Sequence, residues 1–408
     1  MRWLITLLLL VFFQWYSYQA LKTAISNRWI LYGYVFFTVI IVGNLLFYTL
    51  ILERNTTNEP RLMYAIGFFL SLLIFQLLVS VILLAEDVFR IPQALYSFLK
   101  RVPEQTQFIP SRRKIISQIA LGLASIPFAS LLYGMYRGKY NYKVLSYNLE
   151  FEDLPDAFDG FKITQISDIH SGSFDNQTKV QYGVDLVNQQ KSDLVLFTGD
   201  LVNNRADEIK PWIKIFNKIK AEFGVFSILG NHDYGDYMRW ESPAAKRKNM
   251  EDLYDAHNEM GWDLLLNESR FIEKDGDRLA IIGVENWGSG FKKAGDLNKA
   301  LNNVSEKDFK ILLTHDPSHW EAQVIPHPFK IHLTLSGHTH GMQFGIEIPG
   351  IIKWSPAKWR YKQWAGVYSE KNQYLNVNRG FGYLAYPGRV GMWPEVSVIT
   401  LSKSKSSI

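Results

Sequence analysis

No cysteine occurs in the 408 residues. Disulfides, thiolate nucleophiles and cysteine-held zinc are therefore excluded, and any metal chemistry has to use His, Asp, Glu or Asn. A strong excess of one charge is also missing: 44 Lys and Arg stand against 39 Asp and Glu, a net of +5. Basic residues flanking membrane spans account for an excess this small, so no nucleic-acid partner is expected. No internal repeat or low-complexity linker interrupts the chain.

Long apolar sequence is abundant instead. Four runs, at residues 3–18, 29–52, 63–85 and 115–136, are rich in Leu, Ile, Phe and Tyr. The last three reach the ~20 residues that cross a ~30 Å hydrocarbon core as helix. Trp3, Trp15, Tyr16, Trp29, Tyr133 and Tyr136 cluster at run ends, where interfacial anchors sit. The first run begins like a signal peptide, with Met1 and Arg2, but Gln14 to Tyr18 is bulky where a small-x-small cleavage site should be. It is read as a retained helix.

The chain thus divides into residues 1–143, an all-α transmembrane region of about four helices, residues 144–402, a soluble α/β domain, and a polar tail at 403–408. The segment between the third and fourth runs holds Arg90, Lys100, Arg101, Arg112, Arg113 and Lys114, the densest basic cluster near the spans, and Lys22 and Arg28 fall on its side. Arg2, Arg54, Arg61, Arg137, Lys139 and Lys143 fall on the other. The positive-inside rule then predicts a multi-pass integral membrane protein with its soluble domain on the extracytoplasmic side.

Within the soluble part, five short β-rich runs each end on chemistry. "FKITQIS" leads to Asp168 and His170, "SDLVLFT" to Gly199 and Asp200, and "GVFSIL" to Gly230, Asn231, His232 and Asp233. "FKILLT" leads to His315 and Asp316, and "IHLTLS" to Gly337, His338, Thr339 and His340. Loops leaving strand C-termini gather at one rim of an α/β sheet, where ligand sites form. One histidine is ordinarily a core residue with a backbone partner, but five of the nine lie in these motifs, each after a strand. Carboxylate oxygens and imidazole nitrogens suit Mn, Fe or Zn, and one carboxylate can bridge two ions about 3.5–4 Å apart. Side chains two apart on an extended segment point the same way, so Asp168 with His170, and His338 with His340, are expected to face one site, Gly337 and Gly341 leaving room for the backbone. A helix is expected over 207–221, where Ile209, Trp212, Ile213, Phe216 and Ile219 recur on one face.

The ordered set Asp-x-His, Gly-Asp, Gly-Asn-His-Asp, a lone His and Gly-His-x-His resembles the calcineurin-like metallophosphoesterase superfamily, and most closely its bacterial membrane-associated phosphodiesterase branch. The resemblance runs from about Leu145 to Leu401 and includes "NVNRGFG" and "YPGRVG". It implies a layered β-sandwich flanked by helices and two divalent metal ions (Mn, Fe or Zn). One ion would be held by Asp168, His170, Asp200 and His340, the other by Asp200, Asn231, His315 and His338, with Asp200 as the bridge. It also implies a metal-bridging hydroxide as nucleophile and His232 as the group that protonates or stabilises the leaving oxygen.

Two departures narrow the reading. Protein phosphatases of the superfamily follow Gly-Asp with Val-Asp-Arg-Gly one residue on, whereas "GDLVNNR" places Asn203 and Asn204 at the acid and the arginine. Loss of the acid that orients the catalytic histidine argues against a phosphoprotein substrate. Met342 stands where the branch favours a second glycine. Arg379 and Arg389 are candidates for holding substrate phosphate through paired hydrogen bonds, with a structural ion pair as the competing role.

The segment 351–364 mixes Trp354, Trp359, Tyr361 and Trp364 with Lys353, Lys358, Arg360 and Lys362, a composition suited to a bilayer interface or to a lid packed on the core. The expected activity is hydrolysis of a phosphodiester or pyrophosphate bond in a phosphoester substrate, with a lipid or lipid-linked substrate and membrane lipid as partners. The alternatives are a non-enzymatic membrane sensor or scaffold, and a phosphomonoesterase or nuclease of the same superfamily.

Overall fold

A computed structural model describes residues 2–51, 60–100, 110–348 and 350–404; of the expected tail, only Lys403 and Ser404 fall within it. The chain separates into two compact units, the main break falling between Tyr136 and Arg137. It precedes the expected boundary because residues 138–140 belong to the second unit. There the buried Lys139 Nζ donates to Asp175 Oδ2 at 2.6 Å, and Tyr140 Oη donates to Asp175 Oδ1 at 2.7 Å.

In the first unit all four apolar runs are helical: α1 (Arg2–Ala24), α2 (Arg28–Ile51), α3 (Pro60–Lys100) and α4 (Pro110–Tyr136). Among the described residues, three helical stretches, Arg28–Leu50, Pro60–Pro92 and Arg112–Tyr136, are long and apolar enough to cross a membrane. α1 is outside that set, and its second half carries Gln14, Ser17, Gln19 and Lys22. Polar contacts tie it to its neighbours. Tyr34 Oη donates to Gln14 Oε1 at 3.1 Å and Gln76 Nε2 to Tyr34 Oη at 3.0 Å, joining α1, α2 and α3. Arg113 pairs with Glu86 and with Asp87, the latter at 3.0 Å, as charges beside spans require.

Among its described residues the second unit contains fourteen strands: β1 (Lys143–Phe151), β2 (Lys162–Ile166), β3 (Leu194–Phe197), β4 (Val225–Ser227), β5 (Asp263–Leu264), β6 (Glu268–Lys274), β7 (Asp277–Gly283), β8 (Phe309–Leu313), β9 (Leu333–Ser336), β10 (Ile346–Ile348), β11 (Ile352–Trp354), β12 (Gly366–Glu370), β13 (Gln373–Val377) and β14 (Glu395–Lys403). One six-stranded sheet has the order β1-β14-β2-β3-β4-β5, the other β12-β13-β9-β8-β7-β6, and β10 with β11 forms a separate hairpin. β2, β3, β4 and β5 run parallel, as do β7, β8, β9 and β13.

Period-two alternation divides each strand between two faces. Ile163, Leu194, Leu196 and Phe226 of the first sheet share a core with Ile281, Ile311, Leu313, Leu333 and Leu335 of the second. The intervening residues Ala280, Ile282, Leu312, Leu375 and Val377 face a separate cluster with Trp320 and Val324. This is the expected layered sandwich, and all five motif-bearing runs are its inner strands.

The expected helix over 207–221 is broken. Single 3-10 turns occupy Ala206–Glu208 and Lys210–Trp212, and α-helix is confined to Ile213–Phe216. Pro211 removes a backbone donor and crowds the preceding turn. The apolar face survives, with Ile209, Trp212, Phe216 and Ile219 buried.

Candidate metal centre

The loops leaving β2, β3, β4, β8 and β9 converge because strand pairing continues past the strand ends. Asp168 N donates to Gly199 O at 2.9 Å, His170 N to Asp200 O at 3.1 Å, and Gly337 N to His315 O at 2.9 Å. A Cβ at Gly337 would collide with Ser167 Oγ and Asp168 Oδ2, and one at Gly230 with Asp200 Oδ1; only glycine lets these backbones close on the carboxylates. Asp168, His170, Asp200, His338 and His340 have φ of 51°, 48°, 59°, 71° and 50°. The residue pairs therefore face one site through left-handed turns, not through the extended alternation expected from their spacing. Backbone held in this sparsely populated region is characteristic of functional sites.

Two clusters result, Asp168 with His170 and His340, and Asp200 with His315 and His338. His170 Nε2 and His340 Nε2 lie 3.0 Å apart, and His315 Nε2 and His338 Nδ1 3.2 Å apart. His340 Nε2 is 3.1 Å from Asp168 Oδ1. Asp200 Oδ2 stands between the clusters, 3.5 Å from His170 Nε2 and 3.1 Å from His315 Nε2, the position a bridging carboxylate must take. The Asn231 side-chain oxygen is buried with no hydrogen-bond partner while its nitrogen donates to Tyr237 Oη at 2.8 Å. An amide oxygen left without a donor in such a cluster is suited to a cation.

Charge balance points the same way. His315 is pushed up to about 10: burial would lower it, but the Asp200 and Asp168 carboxylates outweigh burial. Asp200 is held well below the ordinary carboxylate range, burial being overcome by His315, His232 and His170. Asp168 is lowered in the same way, chiefly through His340. Burial pulls His170 down, and His338 down to about 4. An electron-rich pocket that retains a proton on an imidazole between carboxylates is one in which divalent cations displace that proton.

The ligands are braced from behind. His315 Nδ1 donates to Thr198 O at 2.7 Å, and His338 Nε2 lies 2.8 Å from Tyr361 Oη, leaving the opposite ring nitrogens for a metal. The Asp233 carboxylate accepts from Asp200 N at 2.9 Å, Leu201 N at 2.8 Å, Val202 N at 3.2 Å and Gly230 N at 2.8 Å, clamping two ligand loops together. Burial and Asp200 push Asp233 up to about 7. The supporting roles of Asp233 and Tyr361 are not among the sequence expectations: Asp233 ends Gly-Asn-His-Asp, and Tyr361 belongs to the 351–364 segment expected as a bilayer interface or a lid.

His232 lies beside the clusters, its ring centroid 5.0 Å from that of His170. Its Nδ1 donates to the Asn203 carbonyl oxygen at 2.8 Å, so Nε2 is its available nitrogen. Arg379 and Arg389 are not in the centre's open side. Arg379 is buried in a two-pronged pair with Glu347, both contacts 2.8 Å, and in a second pair with Glu395. The fully buried Arg389 donates to Gly382 O at 2.8 Å, Met392 O at 3.2 Å and His340 Nδ1 at 3.1 Å. These placements match the competing structural role and give substrate binding by either residue no support.

Two family profiles match the chain. One, described as calcineurin-like phosphoesterase, spans residues 161–342, and the other, described as a probable calcineurin-like phosphoesterase transmembrane domain, spans residues 1–139. The chain is 29% identical over 275 residues to an uncharacterized metallophosphoesterase, YkuE, of Bacillus subtilis, covering 67% of this chain and 90% of that one. It is 26% identical over 320 residues to an uncharacterized metallophosphoesterase of Helicobacter pylori, covering 77% and 78%. It is also 26% identical over 282 residues to a transmembrane protein with metallophosphoesterase domain of Danio rerio, where the match covers 67% of this chain but 60% of the relative.

Proposed function

Because the chain belongs to the calcineurin-like metallophosphoesterases and carries their transmembrane domain, we propose that it is a membrane-anchored dinuclear-metal enzyme that hydrolyses a phosphodiester or pyrophosphate bond. The observation that carries this reading is the position of Asp200 Oδ2 between two His/Asp clusters. Asp168, His170, Asp200 and His340 would hold one ion, and Asp200, Asn231, His315 and His338 the other. When bound, two divalent ions supply activation of water near neutral pH and neutralisation of phosphate charge.

The chain's own residues do the rest. Asp233 keeps the Asp200 and Asn231 loops in register, and Thr198 and Tyr361 fix which imidazole nitrogens face the ions. His232, with Nδ1 occupied by a carbonyl, presents Nε2 as the proton donor for the leaving oxygen. Its orientation comes from main chain, which fits a sequence lacking the orienting acid of the protein phosphatases.

The substrate class that fits an enzyme held at a bilayer is a lipid or lipid-linked phosphoester. The catalytic domain lies on the extracytoplasmic side in this reading. The basic residues between the third and fourth apolar runs fall one span before the domain in the chain, so the positive-inside rule that puts them in the cytoplasm puts the domain outside it, whichever way α1 is placed. The test is turnover by the purified full-length chain, with its metal content measured, on an aryl phosphodiester, an aryl phosphomonoester and a nucleotide-linked lipid. The diester and the lipid should be cleaved faster than the monoester. Preferential monoester cleavage, or no cleavage with both metals present, contradicts the proposal.

A further inference from the structure

Among the described residues of the second unit, tyrosines aside, every exposed large apolar side chain falls in one stretch: Met342, Ile346, Ile348, Ile351, Ile352 and Trp359. Ile351 is 80% exposed and Trp359 74%. A soluble domain scatters such residues singly, and their concentration marks an interaction surface.

The hairpin's register explains how they are displayed. Ile346 pairs with Trp354, Glu347 with Lys353 and Ile348 with Ile352, so alternation gives one face to Ile346, Ile348, Ile352 and Trp354 and the other to Glu347 and Lys353. Both faces are largely exposed, Trp354 alone being half-buried, but the polar face is the one whose side chains bond to the domain. Glu347 takes both hydrogen bonds from the buried Arg379, at 2.8 Å each, and Lys353 Nζ donates to Ala365 O at 2.5 Å while lying 5.2 Å from the centre of the Trp364 ring. The isoleucines look outward. In a water-facing hairpin the pattern is the reverse, with the apolar face on the core.

A two-stranded ribbon is marginal alone, so the Arg379 pair, the Lys353 bond and the Gly345 N to Val390 O bond at 2.9 Å hold this inverted arrangement in place. Of the tryptophans expected in this segment, Trp364 is buried in a small core with Ala357, Ala365 and Met392. Trp359 stays outside, its ring edge-on to Trp354 at 5.9 Å. Lys358 and Arg360 flank it and are exposed.

We propose that the outward face of the β10–β11 hairpin, with Trp359, is a second membrane attachment: it inserts into the interfacial layer of the bilayer that the helical unit spans. Two observations single out lipid as the occupant. The same chain carries three helices able to cross a bilayer, so the catalytic unit is tethered to one. The patch also joins aliphatic side chains to an exposed tryptophan and two cations, the combination that suits headgroups above acyl chains. The hairpin lies between His340 and Tyr361, which contacts His338; insertion would therefore bring the metal centre to the lipid surface.

The absence of cysteine makes the test direct. Full-length Ile351→Cys, Trp359→Cys and, as a reference on the same unit, Tyr254→Cys are each labelled with an environment-sensitive fluorophore. They are reconstituted in nanodiscs of phosphatidylcholine and phosphatidylglycerol with and without nitroxide-labelled lipid. Labels at 351 and 359 should emit to the blue of the label at 254 and be quenched several-fold more strongly by the nitroxide. Equal, weak quenching at all three positions overturns the proposal. So does a label at 351 that is shielded from water, insensitive to nitroxide lipid and cross-linkable to a second copy, because that outcome makes the patch a protein interface. The readout is optical, so it stands or falls separately from the hydrolytic activity.

Discussion

His232 Nδ1 donates to the main-chain carbonyl of Asn203 at 2.8 Å, so the imidazole of the proposed catalytic histidine is oriented by main chain, while its backbone N donates to Asp200 Oδ1 at 2.9 Å. The Asn203 side chain is engaged elsewhere, its nitrogen donating to Ser173 Oγ at 3.1 Å. Replacing it with alanine should leave kcat within a few-fold of the parent. His232→Ala should lower kcat by about 100-fold or more with both metals retained. Steady-state kinetics with metal analysis separates these outcomes, and loss of metal in His232→Ala would remove the residue from its assigned role.

Asp200→Asn is expected to behave differently. Its Oδ2 is shared between the clusters, and an amide supplies neither the charge nor the second anionic oxygen a bridge requires. Turnover should vanish and metal content per chain should drop, read by elemental analysis of the purified variant. Full metal occupancy in that variant would mean that the bridge is elsewhere.

Acid sensitivity should trace in part to His257, outside the metal centre. It is fully buried, with Ser227 Oγ 3.0 Å from Nδ1, and burial pulls it down to about 3. A folded-state value below the unfolded one means the unfolded chain takes up the proton first. The stabilisation is therefore complete above pH ~6.5 and is lost as the pH falls toward the folded value. Denaturant unfolding of the catalytic unit should lose about 2 kcal/mol from this residue between pH 7 and pH 5. His257→Gln should lack that component, so the stability gap between the two proteins narrows with acid. A gap that stays constant with pH would show that folding does not lower the His257 value.

The candidate metal centre was legible in the sequence because it depends on order and spacing along inner strands. β2, β3, β4, β8 and β9 are each an apolar run ended by a ligand motif, and strand C-termini share a rim. How the ligands converge was not legible: left-handed φ at Asp168, His170, Asp200, His338 and His340 depends on carbonyl contacts between separate loops. Arg379 and Arg389 were ambiguous for a similar reason, since Glu347, Glu395 and the Gly382 carbonyl that engage them become neighbours only after the sheets assemble. The 207–221 helix failed on a local signal, Pro211, that the apolar periodicity obscured.

Sidedness can be checked without activity. A reporter fused after Ile408 that matures only outside the cytoplasm should be active, and its cytoplasm-restricted counterpart inactive. The opposite pattern would place the catalytic domain in the cytoplasm and set aside the weight given to the six basic residues, Arg90 to Lys114, between the third and fourth apolar runs.

The central claim, a two-ion phosphoesterase, is tested most directly by stepwise metal return. Chelator-treated full-length protein is titrated with Mn²⁺ while bound metal per chain and hydrolysis of an aryl phosphodiester are followed together. The account predicts saturation at two ions per chain, with turnover rising as the second site fills and absent from Asp200→Asn. Undiminished turnover after the metal has been removed, or a protein that binds two ions and hydrolyses no phosphoester, would contradict it.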